Sequence, residues 1–520
     1  MGMPLRDDRI LRYVNAFCPH CHGEQPNRPL ADVARLSGWL AARDGRVLLE
    51  RACATHGLVR TMYDEDPEIL AYLEEWTAPT KTHTPDVAGN FDPIPSAYLR
   101  GLPEMQTQHT CILLADVTES CNLRCPTCFT ESGPDLHGVV PVAEILANVD
   151  QRLARENGKL DVVMLSGGEP TVHPGLAELL DELVRRPVTR ILFNSNGLLI
   201  ARDDELLDLL TRHRERVEVY LQFDGVSAEA SRHHRGGDLR VLKAAAVRRL
   251  SEREIFTTLV MTAALGVNDG EIGDVVKIAL ETPYVSGVSL QPQFGSGRSG
   301  VIDPMDRLTH TGVLKRLGPQ TDGLVSWRDL TALPCSHPHC CSVGYMIRDD
   351  SDQWRSLTAL MGHDRLKENL GLVSNRIADT EVPREMRLAV RESLLGLLSE
   401  QSSLSHPQMG EVWRSICESC DLGASTLLTL AASGLPGRRR RLRRMLGERV
   451  VRITVKPFMD MSTMIEERLT QCCVHVGTRS DQDQCAPFCA VQAWNPLGRQ
   501  RLSAAVRSNS LAPLPLVEIG

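Results

Sequence analysis

Cys121, Cys125 and Cys128 stand in a C-x3-C-x2-C spacing, directly after an apolar run at 112–115 that reads as a buried strand. Three thiolates on one short loop can hold three irons of a cubane cluster and leave the fourth iron without a protein ligand. An open iron is a place for chemistry on a small molecule. A structural zinc knuckle is a poorer reading, because such sites arrive as two C-x2-C pairs or as Cys/His pairs that complete a tetrahedron.

Other thiols sit in groups on either side. Cys18 and Cys21, with Cys53 and His56, bracket a segment at 45–51 that alternates like a small hairpin. C-x2-C with C-x2-H over that interval fits a closed tetrahedral site for zinc or a rubredoxin-like iron, and His20 and His22 are equally placed as ligands by spacing. Far downstream come Cys335, Cys340 and Cys341, then Cys417 and Cys420, then Cys472, Cys473, Cys485 and Cys489. No one of these groups has enough thiols to close a cluster alone. Cys335, Cys340, Cys473 and Cys489 form the first expected set for an auxiliary cluster, with Cys472 as a substitute, since adjacent cysteines seldom ligate the same metal. The chain has 16 cysteines and no apolar signal segment at its start, which argues for metal ligation rather than disulfides.

These groups need a scaffold, and the pattern from residue 110 onward supplies one. Near-continuous apolar runs at 112–115, 162–165, 191–193, 217–223, 256–261 and 285–290 read as strands buried on both faces. Helical patterns lie between them at 142–156, 175–185, 203–216, 239–253 and 271–281, several bounded by proline or glycine. Alternation of this kind makes an α/β fold with a parallel sheet and right-handed crossovers. Functional groups gather at the carboxyl ends of such strands. There the sequence places Gly167-Gly168-Glu169, then Asn194-Ser195-Asn196, then Asp224, and after the fifth strand Asn268. Glycines permit close backbone approach, a carboxylate can accept from an ammonium, and short polar side chains suit ribose or carboxylate contacts. Asp224 is expected to reach cofactor or substrate.

With Phe129 beside the last cysteine, the loop and the Gly-Gly-Glu-Pro turn after the second strand, in this order, resemble the radical S-adenosylmethionine (SAM) superfamily. The resemblance implies a partial (β/α)6 TIM-like barrel and a [4Fe-4S] cluster on Cys121, Cys125 and Cys128. The open iron of that cluster would chelate SAM, and Gly167, Gly168 and Glu169 would bind its amino group. It also implies reductive cleavage of SAM to a 5′-deoxyadenosyl radical, with electrons from a donor such as ferredoxin or flavodoxin. The N-terminal Cys/His ribbon, Gln108-His109-Thr110-Cys111, Pro334-Cys335-Ser336-His337 and Cys472-Cys473-Val474-His475 narrow the likeness to the tetraether lipid synthase and pterin methyltransferase group. That likeness implies work on unreactive carbon of a small-molecule or lipid substrate, either joining hydrocarbon chain ends or alkylating a heterocycle such as a pterin. Members of the group commonly carry a further cysteine-rich element before the Gln-His-Thr-Cys segment, and residues 90–105 contain no cysteine here.

The expected organisation is a metal ribbon domain at 1–80, a linker at 81–109, a radical SAM barrel at 110–330 and an α+β cysteine-rich domain at 331–520 that carries the auxiliary cluster and meets substrate. Hydrophobic content of 42% and charged content of 24% are those of an ordinary globular protein. No run approaches a membrane span, so the expected location is cytoplasmic. A formal charge of −8 gives no reason for an obligate nucleic-acid partner. The arginine-rich run at 438–444 suits phosphate or peripheral membrane contact, or more simply a solvated helix face. The helical pattern at 365–430 reads as packing, or as lining for an apolar tunnel. Two rival functions are a non-catalytic iron–sulfur electron carrier or redox sensor, and a zinc-ribbon module that holds nucleic acid.

Overall fold

Residues 8–24, 34–76, 109–156, 158–300, 302–349, 351–368, 439–477 and 486–493 are described by the computed structural model. Cys417, Cys420, Cys485, nearly all of the expected linker at 81–109 and most of the segment 365–430 lie outside the described residues.

The first strands are β1 (Asp8–Ala16), β2 (Leu36–Arg43), β3 (Arg46–Cys53) and β4 (Gly57–Asp64), antiparallel in chain order. The turn between β2 and β3 uses Asp44 at φ 48° and Gly45 at φ 71°. Two successive positive φ values make the tight hairpin turn that matches the twist of the strands, and Asp-Gly tolerates them. The helix Pro67–Glu74 then starts where Asp66 accepts from the backbone N–H groups of Glu68 and Ile69.

The six apolar runs form β5 (Ile112–Thr118), β6 (Leu160–Gly167), β7 (Val188–Ser195), β8 (Val217–Gln222), β9 (Thr257–Ala263) and β10 (Val285–Pro292). They pair in parallel, in chain order. Alternate residues explain why the runs are continuous. Leu113, Val163, Ile191, Val219 and Leu259 pack outward against the crossover helices. Leu114, Met164, Leu192, Tyr220 and Val260 face the concave side and pack with Phe17 and Leu40 of the ribbon and with Met459, Met464 and Phe488 from the C-terminal region. The sheet is a curled half-barrel with its hollow covered from both ends of the chain.

Residues beyond 330 join this same sheet instead of building a separate one. They contribute β11 (Thr331–Ala332), β12 (Ser342–Arg348), β13 (Trp354–Ser356), β14 (Val450–Val455), β15 (Val474–Val476) and β16 (Ala486–Pro487). β14 lies parallel to β10 and β15 lies parallel to β5, so both edges of the six-stranded half-barrel are capped. An open parallel sheet leaves unpaired N–H and C=O groups at each edge, and these short strands satisfy them. The helix expected at 203–216 ends at Arg212, and helices at Ala228–Arg235 and His310–Gln320 appear where no helix was expected. Among the described residues no helix is long and apolar enough to cross a membrane.

The ribbon docks on the barrel through buried polar contacts. Asp64 accepts from the Thr311 amide at 2.8 Å and from its hydroxyl at 2.6 Å, the Met62 amide donates to Pro304 O at 2.8 Å, and the Asn15 amide donates to Glu467. Burial pushes the Asp64 carboxyl up to about 6 against the lowering effect of the Thr311 donors. A carboxyl raised on folding contributes most to stability below its unfolded value and loses that contribution as pH rises through the folded value. Thermal unfolding followed from pH 4 to 8 is expected to show wild type losing stability relative to Asp64→Asn as pH passes about 6, by roughly 2–3 kcal/mol at most.

Candidate functional site

The loop that carries the three cysteines is fastened to the turn after β6 by backbone hydrogen bonds. The Gly168 amide donates to Thr118 O at 2.6 Å and the Glu169 amide donates to Ser120 O at 2.9 Å. A Cβ at Gly167, where φ is +105°, would lie 2.4 Å from Thr118 O, and one at Gly168 would lie 2.0 Å from Ser120 O. The two glycines therefore serve first to let two backbone segments touch. From the other side Arg298, on the loop after β10, donates from Nε to Cys125 O and from its guanidinium to Ser132 O, both at 2.7 Å, while its own amide donates to Cys128 O.

Glu169 is 1% exposed and braces two loops. It accepts from the Ser195 hydroxyl at 2.8 Å, from the Asn196 amide at 2.7 Å and from the Thr171 hydroxyl at 2.6 Å. Burial raises its pKa, and the donors from Thr171, Asn196 and Ser195 counter the rise. Asn196 in turn donates to Asn122 Oδ1 at 2.7 Å and approaches Cys121 Sγ at 3.9 Å. Asn194 accepts from Gln222 at 2.7 Å, and Asn268 spends its amide on the carbonyls of Asp224 and Thr262.

Asp224 differs from expectation. It is gripped by Arg235 through two hydrogen bonds of 2.6 Å, at the end of the helix Ala228–Arg235. Burial alone would push Asp224 up, but the Arg235 guanidinium outweighs it and holds the carboxyl at about 2. Arg235 also donates to Gln222 Oε1 at 2.9 Å and reaches Cys125 Sγ at 3.9 Å, so the pair positions a thiol. Arg235 and Arg298 went unread in the sequence, where arginine after a turn carries no distinctive spacing.

Cys121, Cys125 and Cys128 line one cavity of about 140 Å³. Gly167, Gly168, Glu169, Asn194 and Asn196 share its wall, whereas Ser195 and Asp224 stand behind it. Burial raises the pKa of Cys121 and Cys125; Glu169 and the neighbouring thiols add to the rise at Cys121, and Arg235 offsets it at Cys125. Buried sulfurs that repel one another as thiolates are what a cationic soft-metal centre relieves. They are not among the groups of described residues whose ligand atoms all lie within 4.8 Å of one another, and that wider spacing suits a multi-iron cluster better than a single ion. The donor set and its spacing fit a cluster with a corner open to the cavity.

Cys18, Cys21, Cys53 and His56 do gather within 4.8 Å, as a mononuclear tetrahedral site requires. His56 Nδ1 is 3.6, 3.4 and 3.6 Å from the sulfurs of Cys18, Cys21 and Cys53. Of the two histidines left open by spacing, His20 lies against the His56 ring, with centroids 5.3 Å apart. The expected auxiliary set is distributed differently. Cys335 Sγ lies 3.2 Å from Cys111 Sγ and 4.0 Å from Cys473 Sγ, and Cys111 is 3.0 Å from His109 Nε2. Cys340 instead accepts from Arg468 Nε at 3.3 Å, and Cys489 accepts from the Met459 amide at 3.3 Å. Burial raises both Cys472 and Cys489, and the Cys340 thiol adds to the rise at each. Cys335 and Cys473 thus acquire Cys111 and His109 as companions, and Cys340 and Cys489 stand apart from them on other partners. His109 and Cys111 were quoted as a motif but not read as ligands, because they precede a strand whose neighbour arrives from the far end of the chain.

A sequence model of the radical SAM superfamily matches residues 116–279, and one of the HMPTM N-terminal zinc ribbon domain matches residues 10–65. The chain is 24% identical over 516 residues, 94% of its own length and 94% of the relative's, to the 7,8-dihydro-6-hydroxymethylpterin dimethyltransferase of Methanocaldococcus jannaschii. It is 28% identical over 199 residues to the antilisterial bacteriocin subtilosin biosynthesis protein AlbA of Bacillus subtilis, covering 38% of this chain and 42% of that one. The crystal structure of Streptococcus suis SuiB bound to S-adenosylmethionine is similar at 13% identity and a TM-score of 0.36, over 54% of this chain and 67% of that chain.

Two variants test the site's scaffold. Gly168→Ala, which would set a Cβ 2.0 Å from Ser120 O, is expected to lower stability by about 1–3 kcal/mol and to lower iron content on anaerobic reconstitution. Arg235→Met leaves the buried Asp224 carboxylate without its partner, an expected loss of about 3–5 kcal/mol at neutral pH. Because the Asp224 pKa is depressed in the folded state, this loss should shrink as pH falls through its folded value; denaturant unfolding at two pH values checks it.

Proposed function

We infer, for a radical SAM enzyme with an N-terminal zinc ribbon, that the substrate is a planar heterocycle of the pterin type and that the reaction alkylates one of its carbons. The observation that carries this reading is the single cavity on which the three cysteines, the Gly-Gly-Glu turn and a wall of mixed aromatic and polar side chains meet. A hydrocarbon chain end would offer no acceptor to Lys456 on that wall, whose ammonium has donors beyond its one contact with the Tyr220 hydroxyl. The relative that spans nearly the whole chain supports the same substrate class.

In this reading Cys121, Cys125 and Cys128 hold a [4Fe-4S] cluster, which when bound supplies the electron that cleaves SAM. Glu169 keeps one lone-pair site on Oε2 beyond its contact with the Asn196 amide, which an ammonium can use. Asn194 and Asn196 offer the remaining polar edge. Arg235 stabilises the Cys125 thiolate, and Arg298 holds the loop backbone so that the thiols keep one geometry. Burial of the site keeps water from a reactive carbon species. His109, Cys111, Cys335 and Cys473 make up one candidate auxiliary centre, and Cys340, Cys472 and Cys489 a neighbouring one. Electrons reach the cluster from a small carrier of the ferredoxin or flavodoxin type. The ribbon's Cys18, Cys21, Cys53 and His56 hold zinc or iron in a structural role.

In the arginine-rich helix Arg439–Arg449, one arginine that the nucleic-acid reading would use is spent on packing. There Arg443 is 3% exposed, with its guanidinium 4.4 Å over the Phe256 ring, and Arg444 pairs with Glu448. A simple electron carrier would not need a cavity lined by its thiols and by polar strand ends.

Anaerobically reconstituted protein with dithionite, SAM and ring-deuterated 7,8-dihydro-6-hydroxymethylpterin is expected to form 5′-deoxyadenosine faster than without the pterin, and to carry deuterium into it. Alanine at Cys121, Cys125 or Cys128 should abolish both signals. Well-loaded protein that cleaves SAM at the same rate with and without the pterin, and moves no deuterium, would sink the substrate reading. No cleavage at all would favour the electron carrier.

A further inference from the structure

Lys456 follows β14, its amide donating to Leu290 O at 2.9 Å, and its side chain enters the cavity that Cys121, Cys125 and Cys128 line. Its Nζ lies 3.4 Å from the Tyr220 hydroxyl and 5.4 Å from the centre of that ring. Tyr220 is itself fixed: its hydroxyl bonds Ser289, and Gln291 donates to both at 3.2 Å. An ammonium has three donors, and the tyrosine accepts only one. The cavity's other cation, Arg235, is consumed by Asp224. Among the described residues Lys456 has no ion-pair partner, so it is a held cation with donors to spare beside the thiol loop.

The wall next to it is aromatic. Phe458 lies 4.6 Å from Phe488 and 5.5 Å from Phe294, and Phe488 lies 5.6 Å from Phe129, the residue after Cys128. All four rings face the cavity. Offset and edge-on ring faces at such spacings accept a flat aromatic guest. A cation at one end of an aromatic wall selects for a guest with an electron-rich oxygen on its edge.

The geometry points to Lys456 as the specificity-determining residue of the substrate pocket, donating to an oxo or anionic oxygen on the edge of a planar heteroaromatic ring that lies against Phe129, Phe294, Phe458 and Phe488. This rests on the heterocycle reading above, and names the atom type that the pocket recognises.

Equilibrium binding on the reconstituted holoprotein without SAM tests it, using the intrinsic fluorescence of two unreacting probes. One is 6-hydroxymethylpterin and the other is 2,4-diamino-6-hydroxymethylpteridine, in which an amino group replaces the ring oxygen. Wild type is expected to prefer the oxo probe, Lys456→Met to weaken it about ten-fold or more and erase the preference, and Lys456→Arg to restore most of it. Iron content and SAM affinity should be unchanged in both variants. Equal binding of the oxo probe by wild type and Lys456→Met overturns the inference. So does no binding by wild type, or a Lys456→Met defect that appears in SAM affinity or iron content instead. Deuterium transfer from the pterin separates the two ideas: transfer with an indifferent Lys456 leaves the heterocycle reading standing and removes this one. Oxo-selective binding through Lys456 without transfer keeps the recognition of the ring and removes the alkylation of its carbon.

Discussion

Two short backbone hydrogen bonds, from Gly168 to Thr118 and from Glu169 to Ser120, are the constraint on which the site depends. They join the loop after the first barrel strand to the turn after the second, so that three thiols and a buried carboxylate share one wall. Only residues without a Cβ permit that approach, since any side chain at Gly167 or Gly168 would begin inside the van der Waals radius of a carbonyl oxygen. Glu169 carries the fastening one strand further by accepting from Ser195 and from the Asn196 amide. Three successive strand ends are thereby tied together around one cavity.

Charge inside the hollow is arranged with the same economy. Arg235 and Asp224 neutralise each other as a bidentate pair, and Arg307 and Asp460 do so near the ribbon. A buried unpaired charge is expensive, and pairing with added hydrogen bonds is what makes these tolerable. Lys456, half-buried at the cavity, is held by a tyrosine and has no ion-pair partner among the described residues. Proteins retain such groups where a ligand completes them, so a cation opposite a phenylalanine wall is informative in a way that the paired arginines are not.

The C-terminal region proves to be part of the barrel. β14 and β15 cap opposite edges of the parallel sheet, although residues 452 and 474 are only about twenty positions apart in the chain. The segment between them, with Phe458, Met459 and Met464, therefore crosses the mouth of the half-barrel and packs on its concave face beside the ribbon. That crossing delivers Lys456 to the cavity. It also carries Cys473 to Cys335 and Cys111, and Cys489 to the neighbourhood of Cys340. One topological choice thus caps both edges of the half-barrel and brings Cys473 to Cys335 and Cys111.

The C-x3-C-x2-C spacing, the six doubly buried strands and the turn chemistry after them were legible because each is local: the period of apolar residues sets the strands, and short spacing alone keeps three thiols on one loop. The gathering of Cys18, Cys21, Cys53 and His56 was legible for the same reason, since a hairpin of known length returns the second pair to the first. Asp224 misled because its position after a strand told of the cavity and not of Arg235, which reaches it only when the following helix folds back. The auxiliary thiols divided otherwise than spacing implied, and Lys456 and the phenylalanine wall left no local trace. Their partners lie on strands and loops hundreds of residues away, and a contact between distant segments is decided by which sheet edge each joins, a matter of packing free energy that no short stretch of sequence encodes.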